Sequence, residues 1–278
     1  MTGAARPLSA SELAGTSDLA AGNPLKWWLR DSVEMVKRNL RHVRRTPELL
    51  LDVTIQPVMF VLLFRYVFGG AIPIQGTTYV NYLMAGIFVQ TIVFAAMGTG
   101  ILLATDLAKG MIDRFRSLPM SQSAVITGRT FTDLLRGMLA IALMALVGLL
   151  VGFQPAGSPI GWVAATALLL LFGFAVSWVG VAAGALVRTP EAVQGLMFVA
   201  VFPLTFASSA FVPTSTMPSW LRFFAEHQPM TLVINGVRGF ILGRPDSGAV
   251  IGSAAWAIGL VAVFFPLALV LYRRRTSR

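Results

Sequence analysis

Six runs of roughly twenty mostly apolar residues govern what this chain can become. They are Leu49–Phe68, Tyr79–Leu103, Phe131–Val151, Trp162–Val187, Ala192–Phe211 and Ala249–Tyr272. About twenty such residues let a helix cross the hydrocarbon core of a bilayer. Apolar residues other than Gly make up 56% of the 278, whereas a soluble domain reaches roughly 45–50% with Gly counted. The expected fold is therefore an all-α integral membrane protein with six transmembrane helices. The first and fifth runs are the least regular. The first carries Gln56, Pro57 and Arg65, and the fifth contains Pro203 and fades into Ser208–Pro213. Proline is tolerated in a spanning helix because neighbours re-satisfy the carbonyl it frees.

Basic residues punctuate these runs unevenly. Before the first run stand Arg6, Lys26, Arg30, Lys37, Arg38, Arg41, Arg44 and Arg45. The second-to-third link and its edge add Lys109, Arg114, Arg116, Arg129 and Arg136; Arg188 and the tail residues Arg273, Arg274, Arg275 and Arg278 complete this side at 18. The other side holds only four, Arg65, Arg222, Arg238 and Arg244. The side richer in Lys and Arg is cytoplasmic, so both termini are expected there. A formal net charge of +10 then reflects topology rather than nucleic-acid binding.

Residues 1–23 are polar, small and interrupted, without the apolar core of a signal peptide, and are expected to form a disordered cytoplasmic tail. Asn23 and Pro24 make a good helix start. Residues 24–45 follow with Leu25, Trp28, Leu29, Val33, Val36, Leu40 and Val43 at steps of three and four. With Trp27 and Trp28 at its head and Lys37, Arg38 and Arg41 among its basic residues, this segment reads as an amphipathic interfacial helix. Residues 46–278 are then the six-span domain.

The second-to-third link repeats that pattern in miniature. Met111, Ile112, Phe115 and Leu118 share one side of a short helix, while Lys109, Asp113, Arg114 and Arg116 lie largely elsewhere. Pro119 ends it, because the residue before proline disfavours the helical region. The fifth-to-sixth link, about Val212 to Gly248, carries two apolar clusters too short to span. One is Trp220, Leu221 and Phe224 after Pro218; the other is Leu232, Val233, Ile234, Val237, Phe240 and Ile241 after Pro229. Such short apolar helices read as re-entrant or interfacial segments, here expected on the outer side.

Catalytic patterns are missing. His42 and His227 fall on opposite sides of this topology, and neither H-E-x-x-H nor G-x-S-x-G occurs. A phosphate-binding loop needs G-x-x-x-x-G-K-[ST], but Lys26, Lys37 and Lys109 are followed by Trp27, Arg38 and Gly110. The chain has no Cys, so no disulfide or thiolate chemistry is open to it. No acidic residue falls at the middle of a span, which disfavours a proton relay. Gly173, Ser177, Gly180 and Gly184 line one side of the fourth run, a spacing that favours close helix packing.

This layout resembles the membrane subunit of ABC-2 type exporters, most closely the daunorubicin/doxorubicin-resistance permease group of actinobacteria, from about Leu25 to Arg275. The family pattern in the second-to-third link is matched by Asp106, Gly110, Asp113, Arg114, Phe115, Arg116 and Pro119. The family more often has Glu at the position of Asp106, and Asn at that of Gln228. The resemblance implies that Gly110, Met111, Ile112, Asp113, Arg114, Phe115, Arg116, Leu118 and Pro119 form a coupling helix docking on a separate ATP-binding-cassette subunit. It implies an outer re-entrant segment marked by Trp220, Phe224 and Pro229, and a second permease subunit, as homodimer or heterodimer. No catalytic residue, cofactor or metal is implied on this chain, with ATP and Mg on the partner subunit. The substrates implied are amphipathic drugs, lipids or lipid-linked glycans, exported across a bacterial plasma membrane. A secondary carrier and a non-transporting scaffold are the alternatives.

Overall fold

The computed structural model describes residues 48–74, 76–108, 122–187 and 189–276. The tail and interfacial helix expected over residues 1–45 and the coupling segment 110–119 lie outside the described residues. Within them the chain is all-helical, with eight α-helices: α1 Glu48–Leu63, α2 Tyr79–Ala108, α3 Gln122–Leu150, α4 Pro159–Leu186, α5 Pro190–Phe206, α6 Ser219–His227, α7 Pro229–Ile241 and α8 Ser247–Thr276. A single π turn, Phe64–Phe68, continues α1.

Among the described residues three helices, α2, α4 and α8, are long and apolar enough to cross a membrane. At about 1.5 Å per residue, thirty residues give about 45 Å. Ile55–Phe68 in α1 and its π turn, Arg136–Leu150 within the longer α3, and Pro190–Phe206 are shorter apolar stretches. All six expected runs are thus helical, but the fifth ends early. α5 stops at Phe206, and residues 207–211 turn instead of continuing the helix. Pro203 lies in its last turn, and the polar contacts described below take over the carbonyls that a longer helix would have used.

Local signals set the helix starts. Ser158 accepts a hydrogen bond from the Gly161 amide at 3.1 Å, with Pro159 in the first turn of α4. Thr189 does the same for Ala192 at 3.3 Å, ahead of Pro190 in α5. Both are side-chain N-caps followed by a proline whose missing N–H costs nothing there.

α2 is the centre of the molecule. Tyr79 through Val93 are all buried, as expected of a helix apolar on every side. It packs on α1, α3, α4, α5 and α7. Its crossing with α4 depends on the glycines. A Cβ on Gly100 would lie 2.2 Å from the Gly180 carbonyl oxygen, and one on Gly184 would lie 2.4 Å from the Gly100 carbonyl oxygen. A Cβ on Gly173 would meet Ile92 Cγ2 at 2.5 Å. Three of the four small residues on the expected packing side of α4 are therefore at its contact with α2.

α8 is peripheral, resting on α4 and α7 and leaving Ile251, Ile258 and Val263 exposed. In water such a surface would aggregate; in a bilayer it is the face lipid or another helix covers. Its end is tied down by Arg275, whose Nη1 donates to the carbonyls of Gly184 at 2.9 Å and Val187 at 2.5 Å. These are orphan carbonyls at the C-terminus of α4, where a cation is also favoured by the helix dipole. Arg275→Ala is expected to cost about 1–2 kcal/mol, visible as a lower melting temperature of the purified protein.

Candidate functional site

The segment between α5 and α8 is the most polar buried region described. After α5 the chain passes through a 3-10 turn, Thr214–Thr216, then α6 and α7. Pro218 and Pro229 start these two helices as the sequence expects.

α6 presents Trp220, Phe223 and Phe224 outward, Trp220 being 73% exposed. On another side Arg222 Nε donates to Glu226 Oε1 at 2.7 Å, and Thr214 Oγ1 donates to the same oxygen at 3.2 Å. The Arg222 guanidinium holds the Glu226 carboxyl below the usual carboxylate range, outweighing the small opposing effect of desolvation. A short helix with aromatic residues on one side and a charged pair on another suits a membrane–water boundary. α7 is different: Val233, Ile234, Val237 and Ile241 are fully buried, so the second apolar cluster faces the protein interior.

The notable feature of α7 is its other side. Gln228, at its N-cap, and Thr231, Asn235 and Arg238 follow at steps of three, four and three, and all hydrogen-bond the chain that leaves α5. Gln228 Nε2 donates to the carbonyls of Leu204 at 2.8 Å and Ala207 at 2.7 Å. Thr231 Oγ1 accepts from the Ser209 amide at 3.2 Å, and Asn235 Oδ1 accepts from Ser209 Oγ at 2.9 Å. Arg238 donates from Nη2 to the Ser209 carbonyl at 2.7 Å and from Nη1 to Asn235 Oδ1 at 2.7 Å. Its Nε and Nη2 also reach the Tyr82 carbonyl on α2 at 3.3 and 3.2 Å. The guanidinium carbon lies 3.7 Å from the centroid of the Tyr82 ring.

This stripe is a latch. It satisfies backbone groups that the early end of α5 leaves open, and it ties three elements together: the α6–α7 hairpin, the end of α5 and the start of α2. Tyr79 reinforces it by donating from its hydroxyl to the Phe211 carbonyl at 3.0 Å. Arg238 is partly buried and its contacts are carbonyl oxygens, Asn235 and Ser209 rather than a carboxylate. Hydrogen bonds from an ionised donor are about twice as strong as neutral ones, so Arg238 is its strongest member. These hydrogen bonds hold the α6–α7 hairpin against α2 and the end of α5.

Of the site residues expected from sequence, Trp220 and Phe224 are on the exposed side of α6 and Pro229 begins α7. Gly110–Pro119 and Trp27, Trp28, Lys37, Arg38 and Arg41 lie outside the described residues. The latch residues Gln228, Thr231, Asn235 and Arg238 have no strong signature in the sequence, where the apolar residues of α7 dominate the pattern. Their signal is a polar residue every three or four positions in an otherwise apolar helix.

Comparisons with known proteins cover most of the chain. A family model described as ABC-2 type transporter matches residues 32–242, from the expected interfacial helix through the end of α7. "Daunorubicin resistance ABC transporter permease protein DrrB1" of Streptomyces coeruleorubidus is 37% identical over 243 residues, covering 86% of this chain and 85% of that protein. "Probable doxorubicin resistance ABC transporter permease protein DrrC" of Mycobacterium tuberculosis is 24% identical over 274 residues, 96% of each chain.

Proposed function

Since the chain belongs to the ABC-2 type transporter family and is the membrane permease subunit of an ABC exporter, we propose that it crosses the membrane six times with both termini in the cytoplasm, pairs with a second permease subunit, and moves an amphipathic substrate outward on ATP hydrolysed by a separate subunit. The observation that carries this reading is the family match over residues 32–242, which spans the amphipathic link, the first five apolar helices and the latched hairpin together. Six helical runs alternate with links whose basic residues fall 18 to four, as the positive-inside rule requires. The names of its relatives support a drug of the daunorubicin or doxorubicin kind as cargo; a lipid or lipid-linked molecule is the wider class.

In this reading the segment Gly110–Pro119 docks in a groove of the ATP-binding subunit, with Met111, Ile112, Phe115 and Leu118 as the apolar contacts. Movement of that subunit pushes on α2 and α3, which flank the segment. α2 runs from there to the Tyr82 carbonyl held by Arg238, so a shift at one end reaches the latch through one rigid helix. The hairpin α6–α7 would lie at the outer leaflet, with Trp220 and Phe224 at the boundary, as a cover that the latch keeps shut.

Phe115→Asp places a charge in the docking face. The expected result is loss of co-purification with the ATP-binding subunit and at least a tenfold loss of ATP-dependent transport, with the permease still present in the membrane. Unchanged association and transport would remove Gly110–Pro119 from the docking role.

A further inference from the structure

Gln90 is buried in the middle of α2, 1% exposed, and neither its amide nitrogen nor its amide oxygen has a hydrogen-bond partner among the described residues. This is unusual. Leaving a buried amide unpaired carries the full cost of its desolvation, whereas an apolar side chain of the same shape would carry none. The buried hydroxyls of α2, α5 and the turn after α5 do not help. Thr91 donates to the Ile87 carbonyl at 2.8 Å, Thr205 to the Val201 carbonyl at 2.9 Å, and Ser208 to the Thr205 carbonyl at 2.5 Å.

Its position links it to the latch. Tyr82, Gly86 and Gln90 follow one another at steps of four, so they lie along one side of α2. The Tyr82 carbonyl takes the Arg238 guanidinium. A Cβ on Gly86 would lie 2.6 Å from the Ala210 carbonyl oxygen, so α2 is pressed there against the turn that ends α5. Gln90 is the next residue along this side, about 12 Å from Tyr82 along the helix. The first polar side chain beneath the latch is thus one that the closed packing leaves unsatisfied.

We propose that Gln90 is a path-lining residue of the open state: release of the latch parts α2 from the end of α5, water and the polar part of the substrate reach the Gln90 amide, and its unmet hydrogen bonds in the closed state make that opening easier. This rests on the exporter reading above for the substrate, but not for the packing conflict, which belongs to the chain alone.

The chain has no Cys, so Gln90→Cys gives a single thiol whose reaction with a membrane-impermeant methanethiosulfonate reports water access, because only the thiolate reacts. The test uses the full permease with its ATP-binding subunit in proteoliposomes. Gln90→Cys is expected to label at least tenfold faster during ATP turnover than without nucleotide, while Ala85→Cys, also fully buried but on the opposite side of α2, stays unlabelled in both. Labelling of Gln90→Cys that is equal in both conditions, or absent from both, overturns the proposal. Gln90→Met provides the measurement that needs no transport. Its melting temperature without nucleotide is expected to rise by about 2–4 °C. A fall would mean that Gln90 has a partner in the closed state, and would overturn the proposal even in a chain that exports nothing.

Discussion

Gly100→Ala is expected to destabilise the protein by about 3 kcal/mol or more, while Gly98→Ala, two residues away on the same helix, leaves it unchanged or slightly more stable. The difference follows from what each new methyl group would meet. At Gly100 it would lie 2.2 Å from the carbonyl oxygen of Gly180 and 2.6 Å from the carbonyl carbon, both backbone atoms that cannot rotate away. At Gly98 nothing lies within 4 Å, and Ala is favoured over Gly inside a helix by about 1 kcal/mol. Overpacking typically costs about 1–3 kcal/mol; a clash between two backbones belongs at or above the top of that range, because α2 and α4 must move apart along their length. The measurement is the melting temperature and the monodisperse yield of the two variants in the same detergent. Equal behaviour would mean that α2 and α4 do not cross at Gly100 and Gly180.

Arg238→Met is expected to be the most damaging single change in the latch. It removes the donor that holds the Ser209 carbonyl, the Tyr82 carbonyl and Asn235 Oδ1 together, and it leaves those acceptors without a charged partner in a partly buried region. Hydrogen bonds to a charged group contribute about 1.5–3 kcal/mol each, and an orphaned buried acceptor costs about 1–3 kcal/mol. These terms are not additive within one network, so about 3 kcal/mol is the expected loss. Arg244→Met removes the same charge from an exposed position on the same link and is expected to stay within about 0.5 kcal/mol. ATP-dependent transport should separate the two variants further. With the hairpin unlatched, Arg238→Met should lose most of its directional transport, while Arg244→Met keeps it. If the two arginines proved interchangeable in both stability and transport, the latch would have no mechanical role.

The sequence made some of this visible and left the rest hidden, for physical reasons. Apolar runs locate helices in membrane proteins because the backbone must satisfy its own polar groups there, and all six runs are helical. The glycine spacing on α4 was equally legible, because small residues four apart allow close packing; its partner on α2, Gly100, was not, since one glycine in a helix does not point to a neighbour. The end of α5 at Phe206 depends on Gln228, 22 residues further along the chain, reaching back to the Leu204 and Ala207 carbonyls. A pairing of that kind has no local signature. Gln90 was hidden for the opposite reason. One polar residue in an apolar run is ordinary, and only the packing shows that its amide has no partner among the described residues.

Everything above depends on this permease moving its substrate on ATP hydrolysed by another subunit. The direct measurement is uptake of a fluorescent amphipathic cation such as doxorubicin into inside-out vesicles containing the permease and its ATP-binding subunit. The expected result is accumulation that requires ATP and both subunits, and that a proton or sodium gradient alone does not support. Accumulation driven by an ion gradient in ATP-free vesicles containing only this chain would contradict it.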